Sequence, residues 1–579
     1  MSARKIGVYV CQCGGNIGDY VDVDEVVAAA EKEPGVTVAK TAMFTCSDST
    51  QSEIVADAQE QGLDGLVIAS CSPKLHTYTF RDVARRAGMN PFQYTQVNVR
   101  EQCSWTHTDD HEGATEKAVR LVRAGINRTR LTEPLEPIVV ETTPRSLVVG
   151  GGIAGLRAAL GLAEIGLSVF LVEKEPQLGG WVAGFGEMYP HGRNGAELIA
   201  KLEEKVRAHP AVTVFTSAEL VAKGGSFGNY EVTVAIHGEQ LETIRLVVGS
   251  IVIATGFDTY QPAAGELGSG LDGVLTIAEF KKLLDESAGP LQYGGRPVKT
   301  VAYIYCVGSR QGEGVEGGNT YCSRYCCTAA VHAATQVADL PAKVHQYHFY
   351  RDMRTYGKYE LLYAEALERG SAFVKFPDDE PPAVEKDAKS GRLTLTARDL
   401  LSEGEEVALT ADLVVLVTGM VPRENESLIS ALKLPVGQSG FFNEIHPKLR
   451  PVETVVDGAY ICGACQAPRT SSEAVASGLA AVTQSAAVLK RGFAELDPLV
   501  ATVDTDACTW CGACENTCPY AAIAREQLDG KEVAVISRTA CKGCGGCAPV
   551  CPTDAIDLQG YTDAQIKAMI DGMMEVVCR

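Results

Sequence analysis

Ser146–Trp181 reads SLVVGGGIAGLRAALGLAEIGLSVFLVEKEPQLGGW, and its pattern decides the fold. An apolar run enters Gly150, Gly152 and Gly155, a stretch with apolar residues at helical spacing follows, and a second apolar run ends at Glu173 and Lys174. This is a βαβ unit. Glycines at these places let the backbone turn tightly and approach a pyrophosphate at the helix N-terminus, while an acidic residue such as Glu173 accepts bonds from ribose hydroxyls. A dinucleotide is therefore expected here. Glycine-rich turns are common, but this one has the strand, the helix and the acid all in place.

The residues beyond the acid narrow the dinucleotide. Gly179, Gly180 and Trp181 come soon after it, then the strand and turn IVIATGF with Ala254, Thr255 and Gly256. A similar strand and turn, LVVLVTG, ends at Thr418 and Gly419. These features resemble the two-dinucleotide-domain flavoproteins of the thioredoxin reductase type, which implies FAD. In that family the FAD domain is interrupted by a nicotinamide domain and closes near a Gly-Asp pair. The closing segment here resembles DGAYICGACQAPRTSSEAVASGLAAV, from Asp457, with Gly463 present and Cys465 taken to stand at the aspartate's place. Gln466 and backbone amides are expected to serve instead. The FAD domain is thus expected over 140–295 and 412–492, and a remodelled segment over 296–411. There the strand TVAYIYC runs into Cys306 rather than into a glycine fingerprint, so no pyridine-nucleotide site is expected.

Composition bounds the rest. With 579 residues, 46% hydrophobic and 22% charged, the chain has the length for three or four domains with ordinary cores. A formal charge of -21 argues against a nucleic-acid or anionic-membrane surface, since both require a cationic face. The start, MSARKIGVYVCQCGG, has no apolar core of signal-peptide length, and no later run offers about 20 apolar residues. A cytoplasmic protein without membrane spans is expected. Twenty cysteines in that setting point to metal ligands or redox groups rather than disulfides.

Eight of them fall in the tail. Cys508, Cys511, Cys514 and Cys518, then Cys541, Cys544, Cys547 and Cys551, form two copies of C-x2-C-x2-C-x3-C-P. Three close thiolates hold one iron-sulfur cube and the fourth, before proline, crosses to the other. One cluster should take Cys508, Cys511, Cys514 and Cys551, the other Cys541, Cys544, Cys547 and Cys518. Zinc ribbons lack the third cysteine and the CP ending. The segments YAAIAREQ and TDAIDLQ fit the internal repeat of a bacterial two-cluster ferredoxin, an α+β domain expected over 498–579.

Two less regular groups remain. Cys306 sits at a strand end, and Cys322, Cys326 and Cys327 at the start of the helical stretch TAAVHAATQVADL. Zinc or an active dithiol are the alternatives to a 4Fe-4S cluster there, and adjacent Cys326 and Cys327 suit neither. In residues 1–135, Cys11 and Cys13 follow KIGVYV, Cys46 follows VAKTAMF, Cys71 follows GLVIAS and Cys103 follows FQYTQVNV. Helix-like stretches separate these strands, which reads as a parallel α/β layer whose strand ends converge at one edge. Five cysteines compete for four places, with Cys13, beside Gly14 and Gly15, freer than Cys11. Buried structural cysteine is the alternative for each. Lys74, His76, Arg100 and His107 lie beside these cysteines, where surface ion pairing is the simpler role.

The stretches CQCGGNIGDYVDV, SCSPKLHTYTFR, NVREQCSWTH, GGGIAG, CVGSR with YCSRYCC, YRDMRTYGKYE and the twin-cluster tail together resemble the A subunits of heterodisulfide reductase and their bacterial relatives, across nearly the whole chain. The resemblance implies an oxidoreductase subunit with FAD and four 4Fe-4S clusters: two in the tail, one in the middle segment and one near the N-terminus. It implies as partners proteins like the B and C subunits of heterodisulfide reductase, a hydrogenase or small iron-sulfur protein as donor, and ferredoxin, in a dimer of heteromers. In such relatives the flavin splits an electron pair between two acceptors. Methanogen members carry an extra ferredoxin-like insert in the flavin domain, and Trp181–Phe257 here contains no cysteine. Competing readings are a stand-alone NAD(P)H-dependent iron-sulfur flavoprotein, a wiring scaffold, and an electron-input subunit for acyl-thioester or methylene-folate reduction.

Overall fold

The computed structural model describes residues 4–238, 240–287, 289–312, 314–315, 317–387 and 391–574, so the last five residues of the tail lie outside the description. The chain forms two compact units, Met1–Val140 with Glu495–Arg579, and Glu141–Ala494. Among the described residues no helix is long and apolar enough to cross a membrane.

In the first unit, Ile6–Cys11 and Gly65–Ser70 are buried at every residue, which is what the inner strands of a parallel sheet covered on both faces require. They form a four-stranded sheet in the order Val36–Ala42, Ile6–Cys11, Gly65–Ser70, Tyr94–Asn98, all parallel. Capped helices make the crossovers: the Asp22 carboxylate accepts from the N–H of Asp24 and Glu25, and the Ser47 hydroxyl from that of Thr50. The strand order reverses direction between the first and third strands in sequence, and ligands collect beyond the carboxyl ends at such a switch point. Cys11 and Cys71 stand there.

The tail belongs to this same unit. It contributes two antiparallel pairs, Ala501–Val503 with Ile556–Leu558 and Ile523–Leu528 with Lys531–Ile536, then the helix Asp563–Met574. That helix lies along His111–Arg130, held by a Gln565 amide that donates to Leu131 O at 2.8 Å. Arg128, nearly buried, donates to Gly560 O at 2.6 Å and stacks its guanidinium 4.2 Å over Tyr561.

The second unit holds two parallel sheets of five strands. One runs Val212–Phe215, Ser168–Val172, Arg145–Val149, Ser250–Ile253, Ala459–Ile461. The other runs Val274–Thr276, Leu413–Thr418, Thr300–Val307, His345–Tyr350, Ala372–Lys375. One dinucleotide fold interrupts another, the thioredoxin-reductase-like arrangement. The inner boundary lies elsewhere than at 295 and 412, because Val274–Thr276 and Leu413–Thr418 pair into the second sheet. Fully buried strands such as LVVLVT look alike in sequence whichever sheet takes them. Beneath the first sheet the Ser250 hydroxyl bonds Ser146 at 2.9 Å and Ser485 at 2.7 Å, which fixes the helix Ser471–Leu489 against it.

The helix contact in the first unit admits no added bulk. A Cβ on Gly572 would lie 3.1 Å from the Ala124 Cα. Gly572→Leu should cost about 1–3 kcal/mol of local stability through overpacking. Limited proteolysis should then release the tail more readily, with flavin content unchanged.

Candidate functional site

The glycine cradle is built as its motif requires. Gly150 has φ +106°, and a Cβ there would meet Ala254 O at 2.4 Å. A Cβ on Gly155 would lie 1.8 Å from Gly150 O, so only glycine lets the helix Ile153–Glu164 start so close to the strand. Gly152 and Gly256 face open space, the latter at φ +77°. Gly180, at φ +57°, passes Gly152 closely. Glu173 is buried, and its carboxylate accepts from Gly151 N at 2.6 Å and Glu175 N at 2.9 Å. Lys174 is exposed. The Thr255 hydroxyl beside Ala254 is buried without a partner. An open backbone cradle plus an unsatisfied hydroxyl at the next strand's turn fits a bound dinucleotide.

Three residues expected at the cofactor have partners within the protein. Trp181 donates its indole N–H to Phe257 O at 2.9 Å and stacks on the Phe257 ring. Gln466 is spent inside the protein: its amide donates to Glu444 and Pro451 O, and its oxygen accepts from Arg469. The residue directly after Gly463 is Ala464, so the aspartate of a Gly-Asp pair is matched by Ala464 and not by Cys465, one place further on. The buried Cys465 thiol donates to Cys462 O at 3.1 Å, and Cys462 is buried as well. Gly463 N donates to the Ser477 hydroxyl.

In the second sheet the corresponding turn carries sulfur. Cys306, next to last in the strand Thr300–Val307, has φ +62°, a left-handed conformation that costs a non-glycine residue energy. Burial, then Cys327, pushes its thiol up to about 11, while Arg310 and Arg351 oppose this. The helix Cys326–Ala338 opens on Cys326 and Cys327, which share a hydrogen bond. Cys326 is held protonated by that bond and by burial; Cys327 is lowered by the same bond, with Arg310 and Arg354 assisting. Cys322 accepts from Arg324 N at 3.3 Å and acts electrostatically on Cys306 and Cys326. The four thiols thus act on one another electrostatically, with Arg310, Arg351 and Arg354 opposing the charge. Arg351 and Arg354, from the YRDMRTYGKYE stretch, were missed; their basic character was the available signal. Arg324 also pairs with Glu473, which caps the helix Ser471–Leu489, and bonds Tyr356 at 3.0 Å. The letters of a G-x-G-x-x-G do occur at Gly312, Gly314 and Gly317, but the strand has already ended and the next helix starts only at Cys326.

In the first unit Cys11, Cys13, Cys46 and Cys71 gather around Arg100. The guanidinium donates to Cys13 Sγ at 3.3 Å, stacks 4.6 Å over Trp105, and leaves a buried Nε without a partner. Burial pushes Cys71 up to about 11, with Arg100 opposing it and Cys13 and Cys11 adding to it. Burial, then Cys11, raises Cys46 as well. Cys11 is buried and Cys13 half-buried, at φ +54°. Cys103 is fully buried in the same core as Cys11, and its thiol is pushed up to about 11 by burial, with Lys117 opposing. His107 bonds Lys117 and His76 bonds Thr79.

In the tail, one hollow is lined by Cys508, Cys511, Cys514 and Cys551, and another by Cys518, Cys541, Cys544 and Cys547. Backbone N–H groups point at sulfur in a repeated way: Ala522 N donates to Cys518 Sγ at 3.4 Å and Ala555 N to Cys551 Sγ at 3.2 Å, each from four residues on. Against its burial, such donors hold Cys551 below the usual thiol range. Hollows ringed by thiols with N–H donors behind them fit iron-sulfur cubes, whose potentials those donors tune. Among the described residues no three His, Cys, Asp or Glu side chains come close enough to hold a single metal ion.

Residues 145–188 match an FAD binding domain and residues 500–569 a 4Fe-4S dicluster domain. The chain is 35% identical to a CoB-CoM heterodisulfide reductase iron-sulfur A subunit of Methanopyrus kandleri, with 91% of this chain and 92% of that protein covered. It is 35% identical to the CoB-CoM heterodisulfide reductase iron-sulfur A subunit of Methanocaldococcus jannaschii, over 99% and 98%. The chain belongs to the heterodisulfide reductase A family. A further member, the A subunit of the H2:CoB-CoM heterodisulfide,ferredoxin reductase of Methanothermobacter thermautotrophicus, is 34% identical over 91% of each chain. Like other heterodisulfide reductase A subunits, the chain is an oxidoreductase subunit with FAD and iron-sulfur domains.

Gly155→Val places a side chain into the Gly150 carbonyl and should abolish FAD retention, read as loss of flavin absorbance with tail iron kept. Full flavin in that variant would refute the cradle.

Proposed function

We propose that this chain is the electron-relay subunit of a heterodisulfide-reductase-type complex, holding one FAD and four 4Fe-4S clusters. FAD lies on the cradle of Gly150, Gly152 and Gly155, with Thr255 and Gly256 across from it. Cys306, Cys322, Cys326 and Cys327 hold the middle cluster. Cys11, Cys13, Cys46 and Cys71 hold the N-terminal one. The tail clusters take Cys508, Cys511, Cys514 and Cys551, and Cys541, Cys544, Cys547 and Cys518. When bound, FAD exchanges electrons in pairs and each cluster exchanges one.

The observation that carries this reading lies inside one compact unit. A dinucleotide cradle and a four-cysteine group occupy the equivalent turns of two neighbouring sheets, and the Arg324–Glu473 pair with Tyr356 ties the cysteine loop to the closing helix of the flavin fold. The chain's own residues hold the charges: Arg310, Arg351 and Arg354 offset thiolate charge at the middle site, and Arg100 does so at the N-terminal one. Partners of the B and C type, a hydrogenase-type or small iron-sulfur donor, and ferredoxin as a second acceptor are in keeping with the relatives' names. Splitting of electron pairs between acceptors is part of this proposal.

Anaerobic purification from the native source, with identification of co-purifying subunits and assay of iron and flavin, tests it. About sixteen irons per chain with one FAD is expected for four cubes. About eight irons would remove the N-terminal and middle sites. Cys518→Ser should damage the cluster of Cys541, Cys544 and Cys547, seen as loss of one of two tail EPR signals. Loss of the Cys508 cluster alone would refute the crossed ligation.

A further inference from the structure

Of the four middle-site cysteines, Cys306, Cys326 and Cys327 are buried in the core beneath the second sheet, while Cys322 is half-buried in the loop before the helix. That loop is tied to the turn after Leu413–Thr418 on both sides of Cys322. Before it, the Tyr321 hydroxyl donates to Met420 O at 3.0 Å; after it, the fully buried Ser323 hydroxyl accepts from Met420 N at 2.9 Å. Both peptide groups of Met420 are therefore taken by the neighbours of one cysteine. Met420–Pro422 in turn pairs antiparallel with Phe257–Thr259, the strand that directly follows Gly256 of the dinucleotide cradle.

Arg324 makes a further tie. Its backbone N–H donates to Cys322 Sγ at 3.3 Å. Its φ is +60°, where glycine would be unstrained and arginine is not. Strain of this kind persists where the surroundings hold it, and here the side chain is the anchor. The guanidinium bonds Tyr356 Oη at 3.0 Å and pairs with Glu473, whose carboxylate also accepts from Thr470 N at 2.9 Å. Thr470 and Glu473 form the capping box of Ser471–Leu489, the closing helix of the flavin fold. One residue thus holds a cysteine sulfur through its main chain and the flavin fold through its side chain. We propose that Arg324 is the positioning residue that sets Cys322 as the flavin-side ligand of the middle cluster, so that electrons pass between FAD and that cluster at Cys322. This rests on the reading that the four cysteines hold a cluster and the glycine cradle holds FAD. In the step itself one electron leaves reduced FAD and one arrives on the oxidised cluster, with no bond made or broken.

The test follows that step in the whole anaerobic protein. Flavin is photoreduced by a laser flash, and growth of the middle EPR signal, identified by its loss in Cys322→Ala, is followed by freeze-quenching. Arg324→Ala should keep iron and flavin contents but slow that growth about tenfold or more, since groups held even about 1 Å out of place lose rate steeply. It should also shift the g-values of the same signal, because the N–H donor to Cys322 moves. Arg324→Lys, which keeps a cation for Glu473, should recover most of the rate. Glu473→Gln keeps the capping box but loses the ion pair; it should slow the signal as Arg324→Ala does, and the double variant should be no slower than either single one. Arg369→Ala, which removes a surface pair with Glu365 on the same fold, is the control and should leave the rate in place. If Arg324→Ala fails to take up iron, Glu473→Gln carries the test. An unchanged rate and unchanged g-values in Arg324→Ala or in Glu473→Gln overturn the inference, as does an equal slowing in Arg369→Ala. Retention of every EPR signal in Cys322→Ala overturns the middle cluster itself, and absence of FAD from the purified protein overturns the flavin reading.

Discussion

A thiolate taken out of water has to be met by a cation or an N–H donor, and much of this structure depends on that constraint. The strand ends that carry cysteine also carry the means of holding negative charge. Arg100 reaches Cys13 from the loop after the fourth strand of the first unit. Arg310 follows Cys306 by four residues, while Arg351 and Arg354 come from the end of the neighbouring strand. Among the described residues of the tail, backbone N–H groups within four residues point at Cys518, Cys541 and Cys551, and Ala534 N points at Cys508. Local turns can do this only where the chain winds closely round the sulfur, which is what the short spacings of the tail permit.

The two parallel sheets of the second unit show how one backbone design serves two chemistries. At the end of Arg145–Val149 the chain turns through Gly150 in the left-handed region and enters a helix whose first N–H groups are free. At the end of Thr300–Val307, Cys306 takes a left-handed turn, and a helix again begins beyond it, opening on Cys326 and Cys327. A helix N-terminus favours negative charge whether it belongs to phosphate or to sulfur. Where the first sheet has its tight glycine turn, the second carries Cys306 in the same left-handed region, and cysteine opens the helix that follows.

What was legible in the sequence was what is local. The spacing of Gly150, Gly152 and Gly155 and the two CP-terminated cysteine runs are short patterns whose geometry is fixed within a few residues. In the first unit the strand ends that carry cysteine were legible, but which thiols share a site was not, since a strand end does not say which way a side chain turns. The inner boundaries, before Val274 and beyond Thr418, were hidden because buried parallel strands share one composition. The placement of the tail with the N-terminal layer rests on Arg128, Gln565 and Gly572, residues more than four hundred positions apart on either side of the contact, with no periodic signature.

That placement bears on how the tail can work. Cys511 and Cys544 are exposed, whereas Cys508, Cys514 and Cys547 are buried. Each tail hollow therefore has one thin wall of protein, and that wall is where a one-electron partner would come closest. The opposite sides are backed by the apolar core of Ala501, Ile523, Val533 and Ile556, which keeps water from the sulfur. Because the helix Asp563–Met574 holds this module against His111–Arg130, the exposed edges keep a fixed direction relative to the four cysteines around Arg100. A ferredoxin module on a loose linker would lose that geometry with every motion of the linker; docked through a buried arginine and a glycine-tight helix crossing, it keeps its exits where partners of defined shape can find them.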